Sequence, residues 1–324
     1  RRRLAEGRVA GLRVAKAGLL EGIVAPIGSP PGLAPAAGPR EQLRQALKAA
    51  LPGTPVEDDV VLAELRLVKS PSEIDLLRRA GAASAKALLA GLSRVAPGRR
   101  QRHAEAAIVG ECLVEADGTS FWPWAMSGSA GAYPGPWQSL TDPLHLDRPM
   151  EAGGLVRVDV GCAYGGYMGD VGRTVPVSGR YDAGQRETWE LLVGAYRRGL
   201  EAVREGVLVS DVLAASRQEV ARRQESLATP LARRAALTLL APDGAPHWQV
   251  HGVGLDPAEG PGAPTDVLKA GMVLAYEPIF VVEGQGFYLE DMLAVTATGY
   301  ELLTPGLPYS ADEVERAMQA GRGR

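Results

Sequence analysis

The sequence of 324 residues holds only two cysteines, Cys112 and Cys162, with no close spacing between them. That argues against a disulfide framework and against a cysteine zinc site, and makes a reducing cytoplasm the expected setting. Neither sign of charge is in excess: 35 Lys and Arg stand against 38 Asp and Glu, a net charge of −3. Such a balance leaves no electrostatic footprint for DNA or RNA. Long apolar runs are missing as well. The stretch from Leu12 to Pro26 is interrupted by Glu21 and several glycines, and nothing approaches the roughly 18 residues a bilayer span requires. A soluble protein is expected, with neither nucleic acid nor a membrane as partner. Arg1, Arg2 and Arg3 open the chain without an initiator methionine, so its natural start is expected elsewhere and no targeting argument is drawn.

What is present points to a globular enzyme-sized core. Apolar residues make up 46% and charged residues 23% of the chain, and 40 Gly with 24 Pro favour a turn-rich α+β fold over a bundle or coiled coil. Residues 4–17 read as an amphipathic helix, 19–25 as a short apolar strand, 26–39 as a Gly/Pro-rich loop and 41–51 as a second helix. The run Lys69-Ser70-Pro71-Ser72-Glu73 carries a capping box that opens a long helix to about Arg94. A domain boundary is placed near Leu65, giving domains 1–65 and 66–324. A helix over Gln101–Asp117 follows, then an aromatic, Gly/Pro-rich loop over 121–149 without periodicity, of the kind often given to function. From Leu155 the pattern turns to β, with helices at Ala183–Arg204 and from Val209 to about Glu225, and strands again from Trp248 to Leu303.

Two hairpins place acids face to face. Val156-Arg157-Val158-Asp159-Val160 and Met168-Gly169-Asp170 flank a Tyr-Gly-Gly turn; with its centre between Tyr164 and Gly165, Asp159 faces Asp170, their Cβ atoms about 4.5–5.5 Å apart. The run from Leu274 to Glu290, folded at a Glu-Gly turn, pairs Glu277 with Glu290. Like charges directly opposite one another destabilise a sheet unless a cation lies between them or one is protonated. Pro278 breaks the ladder beside Glu277, as happens at bulges next to sites. Four converging carboxylates imply divalent cations, which take hard oxygen ligands. In His247-Trp248-Gln249-Val250-His251, Pro246 and the glycines at 252 and 254 disfavour a zinc-binding helix. An extended chain separates the two imidazoles by roughly 13 Å, so at most one is a ligand and the other faces substrate.

The ordered motifs V-D-V-G, G-D-V-G-R-T, H-G-V-G-L-D, E-P and E-D, spread from about residue 66 to 303, resemble those of the pita-bread metallopeptidase family, which contains prolidase, aminopeptidase P, methionine aminopeptidase and the metal-free creatinase. The resemblance implies a pseudo-two-fold pita-bread fold, a curved antiparallel sheet backed by helices, behind a shortened N-terminal domain, usually within a homodimer. It also implies that Asp159, Asp170, His251, Glu277 and Glu290 hold two divalent ions, with Asp170 and Glu290 bridging. Manganese is first in expectation, then cobalt, zinc or iron. Two such ions about 3.5–4 Å apart activate a bridging hydroxide and stabilise the oxyanion of amide hydrolysis. Glu277 is in addition the expected proton carrier between the water and the leaving nitrogen.

The substrate shell departs from the family pattern. Gly135 stands where prolidase-like members carry a histidine, and Ala258, followed by Glu259, stands where a further one is expected seven residues after His251. Only His247 remains as a catalytic and substrate-binding imidazole. Tyr288 occupies a position that often holds an arginine, so a cation is expected to be missing there. Tyr288 is left to bind substrate, and Trp122, Trp124 and Trp137 read either as a substrate-binding loop or as core or dimer-interface aromatics. Three functions stay open: an Xaa-Pro aminopeptidase or dipeptidase, a hydrolase of another small C–N compound, and a metal-binding homologue that serves as a binding protein.

Overall fold

Alternating runs such as Leu155-Val-Arg-Val-Asp-Val and Val171-Gly-Arg-Thr-Val-Pro are built for pleated sheet, since β-branched side chains pack well on its faces. The computed structural model describes residues 12–15, 39–59, 61–128, 147–242, 248–263 and 266–322. The chain divides into two units, Arg1–Leu67 and Val68–Arg324.

In the first unit, β1 (Leu12–Ala15) pairs in parallel with β2 (Val56–Asp59), and the helices are α1 (Pro39–Ala50) and α2 (Val61–Leu67). Of the helix expected over 4–17, only residues 12–15 are described, and they are corrected to strand. Leu12-Arg-Val-Ala alternates with period two as well as it fits a helix, and a partner strand at Val56 decides the matter. The strand expected at 19–25 and the loop that follows it to residue 38 lie outside the described residues.

The second unit opens with α3 (Pro71–Leu92), where Ser70 Oγ accepts from the Glu73 amide and the Glu73 carboxylate accepts from the Ser70 amide at 2.7 Å. Proline at the first helical position costs nothing there, because its missing N–H would have had no partner. α4 (Gln101–Glu115) packs on α3. Then come β3 (Gly118–Thr119), β4 (Trp124–Ser127), β5 (Leu155–Val160), β6 (Cys162–Ala163) and β7 (Val171–Pro176). Helices α5 (Ala183–Ala202), α6 (Val209–Arg223) and α7 (Pro230–Leu240) precede β8 (Trp248–Gly252), β9 (Val273–Val282), β10 (Gln285–Val295), β11 (Tyr300–Leu302) and α8 (Ala311–Arg322). A seven-stranded sheet runs in the order β4-β5-β7-β10-β9-β8, with β11 beside β10. Its pairings are antiparallel.

Besides β2, α2 and β3, three elements of the second unit go beyond the expected set. β4 sits in what reads as a structureless loop; its four residues are all buried, so no alternation announces it. α7 has a legible start, since Thr229 caps it and Pro230 follows, and α8 closes the chain. A fourth difference is covalent. Cys112 on α4 and Cys162 on β6 form a disulfide with Cα atoms 5.2 Å apart, against the expectation of unpaired cysteines. β6 pairs with β3 through Thr119↔Cys162, and α4 packs on β3, so proximity arises in the fold and is invisible in sequence spacing. The cysteines thus give no support to a reducing compartment.

The two faces of the sheet are distinct. On the front, Leu77 of α3 packs with Val273, Ala275, Met292 and Ala294. On the back, Arg173 and Asp291, both fully buried, form an ion pair with both carboxylate oxygens engaged at 3.0 and 3.1 Å. Tyr196, Thr304 and Tyr309 donate hydroxyls to the same carboxylate at 2.9, 2.8 and 2.9 Å. The remaining Arg173 donors reach the carbonyls of Gly172, Glu290 and Pro308. A fully satisfied buried pair is strongly destabilised by loss of one member, because the other charge is stranded. Asp291→Ala is therefore expected to lower unfolding free energy by about 3–5 kcal/mol in urea titration, and Tyr196→Phe by a much smaller amount.

Candidate metal centre

Backbone register alone gathers the acids. Asp159 of β5 pairs with Gly172 of β7, and Gly172 with Glu290 of β10. Across β9 and β10 the pairs Tyr288↔Ile279 and Asp291↔Tyr276 flank Glu290 and Glu277 and leave them opposite each other. Glu277 in turn pairs with Gln249 of β8, and Asp159 with Trp124 of β4. One transverse row thus reads Trp124, Asp159, Gly172, Glu290, Glu277, Gln249. Because side chains alternate between faces, positions two residues along share the face, and the next row contains His251, Ala275 and Met292. Asp170 joins that row, its amide 3.1 Å from Met292 Sδ.

Both hairpins owe this alignment to their turns. Glu283 and Gly284, with φ of 49° and 74°, form the two-residue link between β9 and β10, and such positive-φ turns fix register. In the other hairpin Tyr164 bridges Tyr167 around Gly165 and Gly166, φ 60° and 81°. The turn is centred one residue later than expected. Asp159 consequently faces Gly172 rather than Asp170, a correction of two positions that keeps both acids on the front face. Pro278, lacking an amide proton, interrupts the β9 ladder, and Leu289 and Glu290 pair with β7 there.

His251 Nε2 lies 3.3 Å from Glu277 Oε1, and 3.8 Å from both Asp170 Oδ2 and Glu290 Oε1. Its Nδ1 is 3.1 Å from the Gly252 carbonyl; a proton donated there leaves Nε2 facing the acids. Ligand atoms of Asp170, His251 and Glu290 lie within 4.8 Å of one another. Glu290 and Asp170 are buried, whereas Asp159, Glu277 and His251 remain partly exposed, so the cluster opens on their side. Burial, reinforced by Glu277 and opposed by Arg157, pushes the Asp159 carboxyl up to about 7. Burial, with the neighbouring acids, holds Asp170 and Glu290 well above the usual carboxylate range. For His251 burial disfavours the cation, but the hydrogen bond and charge of Glu277 and the charge of Asp170 outweigh it and lift the imidazole to about 9.

Glu290 Oε1 is buried with no hydrogen-bond partner, while Oε2 accepts from the Tyr288 hydroxyl at 2.5 Å. An orphaned carboxylate oxygen beside other crowded acids and one imidazole fits divalent ions, which satisfy such oxygens and offset their charge. Tyr288, expected to touch substrate, is 1% exposed and directs its hydroxyl at the Glu290 carboxylate. Trp124 is buried in the row beside Asp159, and Trp122 is 62% exposed. Ala258 is partly exposed, and the adjacent Glu259 is buried in an ion pair with Lys69 at 2.6 Å. His247, Gly135 and Trp137 lie outside the described residues. Arg157 is the site neighbour that the motif reading passes over. Its signal is an arginine amid valines two residues before Asp159.

A helix-backed antiparallel sheet presenting buried carboxylates and one imidazole on a single face is the architecture of a metallopeptidase. The chain belongs to metallopeptidase family M24, whose model matches residues 75–297. It is 31% identical over 298 residues to the Xaa-Pro aminopeptidase of Escherichia coli (strain K12), with 84% of this chain and 64% of that protein covered. To the Xaa-Pro dipeptidase of Pyrococcus furiosus it is 30% identical over 253 residues, with coverage of 76% and 65%. The structure of E. coli aminopeptidase P with the inhibitor Pro-Leu superposes with a TM-score of 0.70 at 29% identity, covering 88% of this chain and 67% of that one. Proline aminopeptidase P II from Yersinia pestis gives 0.70 at 28% identity, with 86% and 67% covered. The pita-bread fold is thereby shown. The chain spans 62–65% of the length of the first curated relatives it matches.

Metal ligation needs a neutral imidazole and ionised carboxylates. With His251 at about 9 and Asp159 at about 7, the metal-free site holds protons at neutral pH. Loading is expected to expel them, so Mn2+ affinity rises with pH from about 6 to about 9. Calorimetry at pH 7 in two buffers of different ionisation enthalpy measures the release; uptake with no proton release contradicts this expectation.

Proposed function

We propose that the protein is a metal-dependent hydrolase of Xaa-Pro peptides, acting as an aminopeptidase or dipeptidase, with Asp159, Asp170, His251, Glu277 and Glu290 holding two divalent ions. Asp170 and Glu290 are the shared ligands in this reading, and manganese is the first metal to test. The single observation that carries it is the convergence of four carboxylates and one imidazole on one sheet face, with an unsatisfied Glu290 oxygen at the centre. When bound, such ions acidify water and stabilise negative charge on a carbonyl oxygen.

The chain's own residues supply orientation and proton transfer. Glu277 sits at the partly exposed side of the cluster, 3.3 Å from His251, and in this reading it accepts a proton from the attacking water and returns it to the leaving nitrogen. Trp124, in the row beside Asp159, gives the substrate an apolar wall. His247 is assigned to substrate binding on its sequence position, and a homodimer belongs to the same reading. Among the described residues no helix is long and apolar enough to cross a membrane. A second reading, hydrolysis of another small C–N compound, is favoured by Ala258, whose methyl group stands where an imidazole is expected.

Mn2+-loaded protein is expected to release the first residue from Xaa-Pro dipeptides or longer Xaa-Pro peptides. Asp159→Ala serves as the inactive control, and release no greater than that control contradicts the proposal. Glu277→Gln is expected to lower kcat by about 10²–10⁴. Turnover of simple amides without peptide cleavage favours the second reading.

A further inference from the structure

β5 carries an arginine in a strand otherwise made of valines and one acid. Arg157 lies two residues before Asp159, hence on the front face, and is 2% exposed. Its row neighbours are Met126 on β4 and Thr174 on β7. Continuing the register of β7 with β10 brings Tyr288 next in line. The guanidinium spans Thr174, with Cζ 5.5 Å from the centre of the Tyr288 ring. Among the described residues, Nη2 has only Met126 Sδ, at 3.4 Å, as a hydrogen-bond acceptor, and Nε is buried without a partner. Desolvating a guanidinium so poorly hydrogen-bonded is unfavourable, unless a field of opposite charge holds it there. The acids nearest to it electrostatically are Asp159, Glu277 and Glu290.

The Tyr288 ring is confined from below as well. A Cβ at position 172 would fall 1.9 Å from Tyr288 Cε1, so the ring lies against the bare backbone of Gly172. Between Gly172 and the Arg157 guanidinium, the ring delivers its hydroxyl to Glu290 Oε2 at 2.5 Å. Oε2 is thereby engaged and Oε1 is the oxygen left over, 3.8 Å from His251 Nε2.

We propose that Arg157 is a positioning residue of the metal centre: stacked on Tyr288, it fixes the phenol that orients Glu290. The cation that the resemblance puts on β10, two residues before Glu290, stands on β5 instead and reaches the same row. The inference rests on the cluster being a metal centre, but on no particular substrate.

The test is a double-mutant cycle on the full chain, read by calorimetric titration with Mn2+ alone. Thermal melting reports folding, and kcat and KM are measured separately. Supporting contacts behind metal ligands are worth about 10–100-fold in metal affinity, and Arg157→Met is expected to weaken Mn2+ binding by that factor in a folded protein. Tyr288→Phe is expected to weaken it as well. Arg157→Met/Tyr288→Phe should be little worse than the weaker-binding single variant, because the arginine acts through the tyrosine. Arg157→Lys, which keeps charge but loses the plane that stacks, is expected to fall between wild type and Arg157→Met. If Arg157→Met does not fold, Arg157→Lys carries the test. A folded Arg157→Met or Arg157→Lys that binds Mn2+ like wild type, or additive losses in the double variant, overturns the inference. Wild-type protein that takes up no Mn2+ overturns the metal-centre reading along with it, whereas wild-type uptake with an unchanged variant overturns the inference alone.

Discussion

Everything at the centre depends on an absent side chain. Gly172 occupies the middle of a row in which Asp159 stands on one side and Glu290 and Glu277 on the other. A methyl group there would collide with the Tyr288 ring. The glycine lets one ring lie flat across the ladder, and that ring in turn reaches a Glu290 oxygen. Acids held this close repel one another and lose hydration, which is why their protons are retained well above the ordinary range. Asp159, Glu277 and Glu290 stand on strands and Asp170 directly precedes β7, so the sheet register holds the acids together.

That register is secured from the opposite face. Arg173 binds the carbonyls of Gly172 and Glu290 while its other donors hold Asp291, so one guanidinium ties β7 to β10 at the level where the clustered acids emerge. Tyr196 from α5 and Tyr309 complete the coordination of Asp291. In this back-face network both Asp291 oxygens are paired. The front-face network is underpaired by design of the register, with an orphaned oxygen at Glu290. Adjacent residues of one strand therefore serve opposite electrostatic ends.

Much of this was readable before any coordinates, where local chemistry dictated geometry. The Glu283-Gly284 turn specifies the β9–β10 register, and so the Glu277–Glu290 pairing follows from two residues with positive φ. Ser70, Pro71 and Glu73 announce α3 in the same way. In the Tyr-Gly-Gly turn the choice of which two residues turn is ambiguous, which produced the two-position displacement of Asp170 relative to Asp159. Long-range contacts were not readable at all. No spacing rule links Cys112 to Cys162, and none shows that Arg157 reaches Tyr288 across an intervening strand. The short stretch Leu12–Ala15 was misassigned because four residues fit both periods and only a distant partner distinguishes them.

The alternation of Glu290 and Asp291 between the two faces has an evolutionary corollary. Adding or deleting a single residue between the Gly284 turn and Glu290 would rotate both acids to the wrong sides at once, stranding Arg173 and removing Glu290 from the acid cluster in one event. Length variation among descendants of this chain should accordingly accumulate in connections such as the one between α7 and β8, while the span from Glu283 to Asp291 keeps a fixed residue count.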